Sequence, residues 1–298
     1  MISILIPIYN FTITELVKSI HAQCVNSNIV FEIIAIDDDS EFEYKELNRI
    51  IQTLPYVHYE ELSHNQGRVT LRNLLANKAL YKFLLFIDCD AQVNNSHFIA
   101  NYYAECVNNA PVVVCGGTAY SNDKPPRSRL LRWKYGKSAE EKSAELRTRE
   151  PNASFSAFNF LISKELFNSI KFDTLPNSYG HEDTLFGIQL LEKNISVKHI
   201  DNALIHCGLD TNEVFFEKTK LSVENLYDIY GKNPILFNKI KLIETFLKFD
   251  AAGTAVLVSL LFSIEKNVLK QLTISTSSVF LLNLYKLGYF CYLSKHQK

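Results

Sequence analysis

Two aspartates one residue apart, Asp88 and Asp90, follow directly after the apolar run Phe83–Ile87. Carboxylates at that spacing can both reach one cation at the end of a strand. Hard cations such as Mg²⁺ or Mn²⁺ prefer oxygen ligands and keep places for phosphate oxygens. The pattern therefore predicts a divalent metal that offsets the charge of a departing diphosphate. The alternative is a solvated turn with incidental acids.

Two further acidic groups also have two interpretations. Glu182 and Asp183 are adjacent at the start of a predicted helix. One of them could act as a general base toward a hydroxyl, or both could simply favour the positive end of the helix dipole. Asp37 and Asp38 end a second apolar run. They could bind the N–H of a nucleotide base and ribose hydroxyls, or belong to a turn and helix cap.

Three other residues could complete such a site. Gly67 at a predicted helix start allows close backbone approach, and Arg72 in that helix suits phosphate. A capped surface helix explains the same residues equally well. His206 follows a short apolar run and could be a further metal ligand beside Asp90. A lone histidine is more often a satisfied core or surface residue.

The elements that would position these residues alternate between strand and helix. Apolar runs end at Pro7, Asp37 and Asp88, and segments with helical apolar spacing separate them. This order predicts an α/β fold with a Rossmann-like, mainly parallel sheet and helices on both faces. Ligands of such sheets bind outside the carboxyl ends of the strands. The acidic groups that follow the strands are therefore expected at one edge.

Composition limits the class of protein. The chain has 298 residues, 47% of them hydrophobic, and a formal net charge of −1, so nothing global indicates nucleic-acid binding. The six cysteines are scattered without C-x-x-C spacing, which is typical of reduced core residues. The first apolar run lacks a preceding basic region and ends early, so we expect no secretory signal and a cytoplasmic protein.

Together the motifs resemble family-two glycosyltransferases in order and spacing, over roughly residues 1–210. The resemblance rests on these stretches: Ser3-Ile4-Leu5-Ile6-Pro7-Ile8-Tyr9-Asn10, Ile36-Asp37-Asp38-Asp39-Ser40, Asn65-Gln66-Gly67 with Arg72-Asn73, Asp88-Cys89-Asp90-Ala91, and Glu182-Asp183. It implies the glycosyltransferase A fold, with a nucleotide-sugar-binding catalytic domain at 1–210 and a helical region at 211–298. It also implies a nucleotide-sugar donor, favouring UDP, and inversion at the anomeric carbon.

The resemblance also implies roles for individual residues. Pro7 and Tyr9 would shape the loop around the base, which Asp37 or Asp38 would read. Asp88 would lie near the ribose. Mn²⁺ or Mg²⁺ would be held by Asp90 and His206. The catalytic base would be Asp183, with Glu182 beside it.

The sequence departs from the family at Asp39, where many members have glycine or a small residue. This leaves open which acid reads the base. The stretch Arg132-Trp133-Lys134-Tyr135-Gly136, with Asn159, resembles the middle of bacterial polysaccharide-biosynthesis members. Trp133 and Asn159 are therefore candidate residues for binding a glycan or lipid-linked acceptor, although Trp133 could equally be a core aromatic.

The pattern of apolar and basic residues in the last third of the chain predicts either membrane attachment or a helical cap on the catalytic domain. Leu236, Ile240, Ile243 and Leu247 form one predicted helical stripe with lysines off it. Residues 251–264 form an uncharged run, but this run is too short for an ordinary transmembrane helix. Residues 273–293 are longer but contain Asn283 and Lys286. We expect peripheral attachment to the inner face of the plasma membrane, by a surface segment or a shallow hairpin, with helices packed on the catalytic domain as the alternative.

Three other functions fit the sequence less well. A haloacid-dehalogenase-type phosphatase also uses D-x-D, but near the start of the chain and followed by a small residue and threonine. A nucleotidylyltransferase needs a glycine-rich basic loop where this chain has Pro7-Ile8-Tyr9-Asn10. A non-catalytic membrane scaffold would not need to keep Asp90 and Asp183.

Overall fold

The computed structural model describes residues 1–106, 113–173, 180–238 and 240–296, with only the backbone of residues 235 and 236. The strands are β1 (Ile2–Ile8), β2 (Phe31–Asp37), β3 (Val57–Glu61), β4 (Phe83–Ile87), β5 (Ala91–Gln92), β6 (Val113–Cys115), β7 (Thr118–Ala119), β8 (Asn159–Ser163), β9 (Lys198–His199) and β10 (Leu204–His206). The helices are α1 (Thr14–Asn26), α2 (Phe42–Asn48), α3 (Arg68–Lys78), α4 (Phe98–Glu105), α5 (Leu130–Tyr135), α6 (Ala144–Thr148), α7 (Lys164–Ile170), α8 (Glu182–Glu192), α9 (Asn212–Lys232), α10 (Pro234–Phe237), α11 (Lys241–Ala251), α12 (Ala255–Thr276) and α13 (Val279–His296).

The larger sheet has seven strands in the order β3-β2-β1-β4-β8-β6-β9. β3, β2, β1 and β4 are mutually parallel, whereas β8 is antiparallel to both β4 and β6. A smaller sheet has the order β5-β10-β7. The mainly parallel α/β fold and the helical C-terminal region predicted from the sequence are confirmed.

Both faces of the larger sheet are covered because its central strands are apolar on both sides. Along β4, Phe83, Leu85 and Ile87 face one core and Leu84 and Phe86 face the other, since successive side chains alternate between faces. Helices α1 and α4 complete the first core, and α3, α7 and α8 complete the second. This packing fixes the strand ends from which the site is built.

The chain divides into two compact units. Unit 1 comprises Met1–Ser121, Glu140–Thr174 and Glu182–Gly208 and contains both sheets. Unit 2 comprises Asn122–Ala139, Leu175–His181 and Leu209–Lys298. The division at residue 210 predicted from the sequence remains a proposal, and unit 2 differs from it by including two earlier segments.

Unit 2 is helical, and the basic segment before residue 139 packs within it. Its core contains the side chains of Leu131, Phe215, Phe216, Phe262, Leu282 and Tyr285. Arg127 and Lys134 donate hydrogen bonds to the carbonyls of Ser275 and Ser277, at the C-terminal end of α12. Cations at this end of a helix satisfy free carbonyls and complement the dipole. These contacts give the two basic side chains a structural role.

The single helix predicted through Leu236, Ile240, Ile243 and Leu247 is wrong. Helix α10 ends at Phe237 and α11 begins at Lys241, because Ile240 adopts an extended backbone. Apolar spacing alone cannot detect such a break. The side chain of Leu236 and the whole of Lys239 lie outside the described residues.

The two apolar C-terminal stretches are also divided by turns. Residues 251–264 contain the break between α11 and α12, where Gly253 has a φ of +71°. Residues 273–293 contain the break between α12 and α13, where Ser277 is left-handed. Of the helices in the described part of the chain, none alone has the length and hydropathy needed to span a membrane. The pair α11 and α12 meets that criterion only together, with a bend of 113°.

Candidate functional site

The register of the large sheet brings the predicted site residues to one edge. β1 pairs in parallel with β2, opposing Ile8 to Asp37, and with β4, opposing Leu5 to Phe86. The residues that follow these three strands therefore emerge side by side. They are Tyr9 after β1, Asp38 after β2 and the Asp88–Asp90 segment after β4.

Asp37 and Asp38 have different surroundings. Asp37 is fully buried, and its Oδ1 accepts the backbone N–H of Ser40 at 2.7 Å. Its Oδ2 has no hydrogen-bond partner among the residues that the structure describes. Asp38 instead accepts the N–H groups of Gln66 at 2.8 Å and Gly67 at 2.9 Å. Asp38 thus holds the loop before α3, where Gly67 has a φ of +81° that favours glycine.

Arg72 links α3 to the end of β4. Its Nη2 donates to Oδ1 of Asp88 at 2.6 Å, and its guanidinium lies over the ring of Phe172. Burial disfavours the charge of Arg72, but neighbouring carboxylates hold its pKa above the usual value. Nε and Nη1 are buried and have no hydrogen-bond partner in the described residues. Two donors in this state favour an anionic ligand at this position.

The two acids at the start of α8 reach the same region by different contacts. Oε1 of Glu182 accepts a charged hydrogen bond from Nε of Arg68 at 2.6 Å. Oδ2 of Asp183 accepts the backbone N–H of Ala157 at 3.0 Å. The next residue, Phe158, accepts the N–H of Asp88 through its carbonyl at 3.0 Å. Asp183 and Asp88 are therefore positioned by adjacent residues of one segment.

The environment of Asp183 favours proton exchange near neutral pH. Burial, followed by the negative charge of Glu182, raises the pKa of Asp183 from 3.8 to about 6, and Arg72 opposes the shift. Burial also raises the pKa of Asp88, again against the effect of Arg72. A carboxyl with a pKa near 6 is ionised at neutral pH and still basic enough to accept a proton.

This pKa gives an expected result for stability. The folded-state pKa of Asp183 exceeds the unfolded value, so its contribution to stability is present below about pH 4 and is lost as the pH rises through about 6. Asp183→Asn should therefore raise Tm by about 2–4 °C at about pH 8. The gain should disappear toward about pH 4. Calorimetry at several pH values measures it, with Asp173→Asn as a surface control. Equal Tm values for the Asp183 variant and wild type at alkaline pH would contradict this account.

Asp90 and His206 lie beside each other at one end of the smaller sheet. The antiparallel pairing of β5 with β10 opposes Ala91 to His206, and Nε2 of His206 lies 3.5 Å from Oδ2 of Asp90. Two ligands at right angles on one octahedral cation lie about 3 Å apart, so this pair fits a shared divalent metal. The described residues contain no group of three or more His, Cys, Asp or Glu side chains arranged to hold a metal ion.

The positions of Asp90 and His206 are fixed by neighbouring residues that the sequence analysis did not identify. The imidazole of His206 is stacked between the rings of Tyr120 and Phe158, at centroid distances of 5.5 and 5.3 Å. A Cβ at Gly208 would lie 2.8 Å from Cβ of Asp90 and still closer to its carboxylate. The glycine therefore leaves the space that the Asp90 side chain occupies. In the sequence, the only indication that Gly208 belongs to this site is its position two residues after His206.

The two candidate acceptor residues lie in different units. Asn159 is buried in unit 1, and its amide nitrogen donates to the carbonyls of Gly117 at 2.9 Å and Asn202 at 3.2 Å. Its oxygen accepts from the hydroxyl of Tyr102. Trp133 is half-buried on α5 of unit 2. The bonds of Asn159 support the fold, and an acceptor role for either residue remains a prediction.

Comparison with known proteins gives a family match and two short sequence matches. The model of glycosyl transferase family 2 matches residues 3–171. An uncharacterised glycosyltransferase of Rickettsia felis is 32% identical over 89 residues, and one of Rickettsia conorii is 33% identical over 89 residues. Each match covers 30% of this chain but only 14% of the length of the relative.

Solved structures share the fold at low identity. A mannosyltransferase, PcManGT from Pyrobaculum calidifontis in complex with GDP-Man and Mn²⁺, matches with a TM-score of 0.58 and 13% identity, over 99% of this chain and 88% of that one. TarS 1-349 of S. aureus matches with a TM-score of 0.53 and 19% identity, over 99% and 92%. The same TarS fragment in complex with UDP-GlcNAc matches with a TM-score of 0.52.

Proposed function

The chain belongs to glycosyl transferase family 2, and we propose that it transfers a hexose from a nucleotide-sugar to a hydroxyl of a glycan or lipid-linked acceptor, with inversion and with a divalent cation. The observation that supports this most is the convergence of Asp88, Asp90 with His206, and Asp183 around the end of β4. No single motif in the sequence required that convergence.

The donor would lie along the carboxyl edge of the large sheet. The buried N–H groups of Arg72 suit diphosphate oxygens, and Asp88 beside it suits ribose hydroxyls. Asp37, with Pro7 on the adjacent strand β1 and Tyr9 directly after that strand, would contact the base. The solved relatives hold GDP-Man in one case and UDP-GlcNAc in another. We propose a UDP-sugar because the sequence motifs resemble members that use one.

Asp90 and His206 would hold the cation, which is Mn²⁺ or Mg²⁺. When bound, the cation would stabilise the negative charge that develops on the departing diphosphate. Such ions are commonly held by one or two protein ligands together with substrate phosphates. This arrangement suits a cation that arrives with the donor, and the mannosyltransferase complex contains both Mn²⁺ and GDP-Man.

Asp183 would act as the general base. The acceptor hydroxyl oxygen attacks the anomeric carbon, its proton passes to the Asp183 carboxylate, and the bond from that carbon to the diphosphate oxygen breaks. Glu182 is paired with Arg68 and would stay a neighbouring charge. A single displacement of this kind inverts the anomeric centre. It also explains why an acid with a raised pKa adjoins Asp88.

The resemblance to bacterial polysaccharide-biosynthesis members suggests where the reaction takes place. We place the enzyme in the cytoplasm, peripherally on the inner face of the plasma membrane, where a lipid-linked acceptor would be presented. In this proposal the catalytic domain is residues 1–210, and the helical region 211–298 provides attachment.

Replacing Gly208 tests the geometry of the metal pair. Gly208→Ala would displace the Asp90 carboxylate, so we expect Mn²⁺-dependent donor affinity to fall by about 10-fold. Gly231→Ala is the matched control, because a Cβ at that position meets nothing within 4 Å. Calorimetric titration of donor with Mn²⁺ measures both variants. Unchanged affinity in Gly208→Ala would mean that the position of Asp90 is unimportant.

The proposed function itself is tested by a thermal-stabilisation screen. Purified protein is heated with each of a panel of nucleotide-sugars, with Mn²⁺ or with chelator. At least one nucleotide-sugar should raise Tm in the presence of Mn²⁺, by mass action on the folded state. Stabilisation by none of them, or by one equally well with chelator, would contradict the proposed metal-dependent donor site.

A further inference from the structure

One face of α12 exposes an apolar surface that Asn267 and Gln271 interrupt. Seven of its side chains, each between 47% and 74% exposed, form what we call the α12 stripe: Val256, Leu257, Leu260, Leu261, Ile264, Val268 and Leu272. At 100° and 1.5 Å per residue, these side chains cover an arc of about 160° and a length of about 24 Å. The charged residues of α12, which are Glu265, Lys266 and Lys270, lie outside that arc. Soluble proteins seldom leave such a surface uncovered.

The other face of α12 is already packed. Phe262 is buried and contacts α13, where a Cβ on Gly288 would lie within 3.1 Å of its ring. Ser259 and Thr273 are also buried on this side. One face of α12 therefore packs within unit 2, and the α12 stripe is the face that stays exposed. Phe280, at the start of α13, is 75% exposed as well.

Helix α11, which the sequence suggested as the membrane-binding element, does not present a comparable face. Its apolar residues Ile243 and Phe246 are buried, and the ring of Phe246 packs edge-on against Phe290 of α13. The outward residues Lys241, Glu244 and Lys248 are charged. Of these two helices, α12 therefore presents the apolar surface.

The charge of the surrounding segment indicates what covers the stripe. Residues 234–298 contain eight lysines and three acids, which gives +5, whereas the rest of the chain has −6. An anionic lipid surface attracts a segment of this charge. A second copy of the same segment would repel it. Amphipathic helices with apolar and basic character lie in the membrane interface.

We propose that the α12 stripe inserts into an anionic lipid surface, with α12 parallel to the membrane plane. This deepens the membrane location proposed above and rests on it. The α12–α13 hairpin would be the part of unit 2 that contacts the membrane. The lysines of residues 234–298 would add electrostatic attraction to the lipid headgroups. No segment needs to cross the bilayer.

The test uses full-length protein and vesicles of phosphatidylcholine with or without phosphatidylglycerol. Leu260→Ser/Ile264→Ser removes the centre of the stripe, and Leu80→Ser/Leu191→Ser replaces two exposed leucines of unit 1 as a matched control. We expect wild type and control to float with the anionic vesicles. The stripe variant should bind about 100-fold more weakly. Neutral vesicles should bind wild type at least about 10-fold more weakly than anionic ones.

Donor-induced thermal stabilisation, measured without lipid, separates this proposal from the proposed function. It should be the same in all three proteins. If it is preserved while the stripe variant floats like wild type, or while wild type fails to float, the lipid proposal is wrong and the enzymatic one stands. If wild type sediments as a dimer and the stripe variant as a monomer, the stripe is a subunit interface and the lipid proposal is also overturned.

Discussion

Asp90→Ala should abolish metal-dependent donor binding while leaving the fold intact. The carboxylate provides one of the two protein ligands proposed for the cation, and its side chain lies in the space left open by Gly208. Loss of a direct ligand should cost at least as much as loss of a supporting residue, which implies a fall of about 100-fold or more in donor affinity with Mn²⁺. Titration calorimetry with and without chelator measures this loss.

The control for that variant is Glu105→Gln, which removes a carboxylate paired with Lys198 elsewhere in unit 1. It should bind donor like wild type and respond to chelator in the same way. Equal donor affinity for Asp90→Ala and wild type, in both the presence and the absence of chelator, would remove the basis for a metal at this site.

Asp183→Asn should lower turnover by about two to four orders of magnitude, the usual effect of losing a general base. The amide keeps the size of the side chain, and its oxygen can still accept the N–H of Ala157. Donor binding should therefore persist. In wild type, the rate should fall on the acid side with an apparent pKa near 6, because a protonated Asp183 cannot accept the acceptor proton. Initial rates across pH measure both effects.

Glu182→Gln is the informative comparison for Asp183→Asn. Glu182 already accepts a hydrogen bond from Arg68, and Glu182→Gln keeps an acceptor for that bond, so turnover should fall less than in Asp183→Asn. An inactive Glu182→Gln together with an active Asp183→Asn would assign the base to the other carboxylate. A pH profile without an acid limb near the expected pKa would also argue against Asp183.

The sequence was sufficient to predict the carboxyl edge of the sheet. β1, β2 and β4 are buried apolar runs, so the strands and the acids that follow them could be located. The predicted ends of two strands were too early, because β1 continues through Pro7 to Ile8 and β2 includes Asp37. Parallel order then required Tyr9, Asp38 and Asp88 to lie together. Local pattern and a general topological rule were enough.

The surroundings of His206 could not be predicted in the same way. β5 has two residues and β10 has three, and their pairing brings together segments more than 100 positions apart. Tyr120 and Phe158 reach His206 from two further segments. Such short elements have no periodicity to detect, because tertiary packing determines them. The break before α11 escaped prediction for a related reason, since one extended residue leaves the apolar spacing intact.

The anomeric configuration of the product tests the central proposal most directly. Proton NMR can follow the sugar released from an α-linked nucleotide-sugar in the presence of Mn²⁺, before mutarotation scrambles the anomers. We expect the β anomer to appear first, together with the nucleoside diphosphate, in wild type but not in Asp183→Asn. Initial formation of the α anomer, or release at the same rate by Asp183→Asn, would contradict a single displacement with Asp183 as the base.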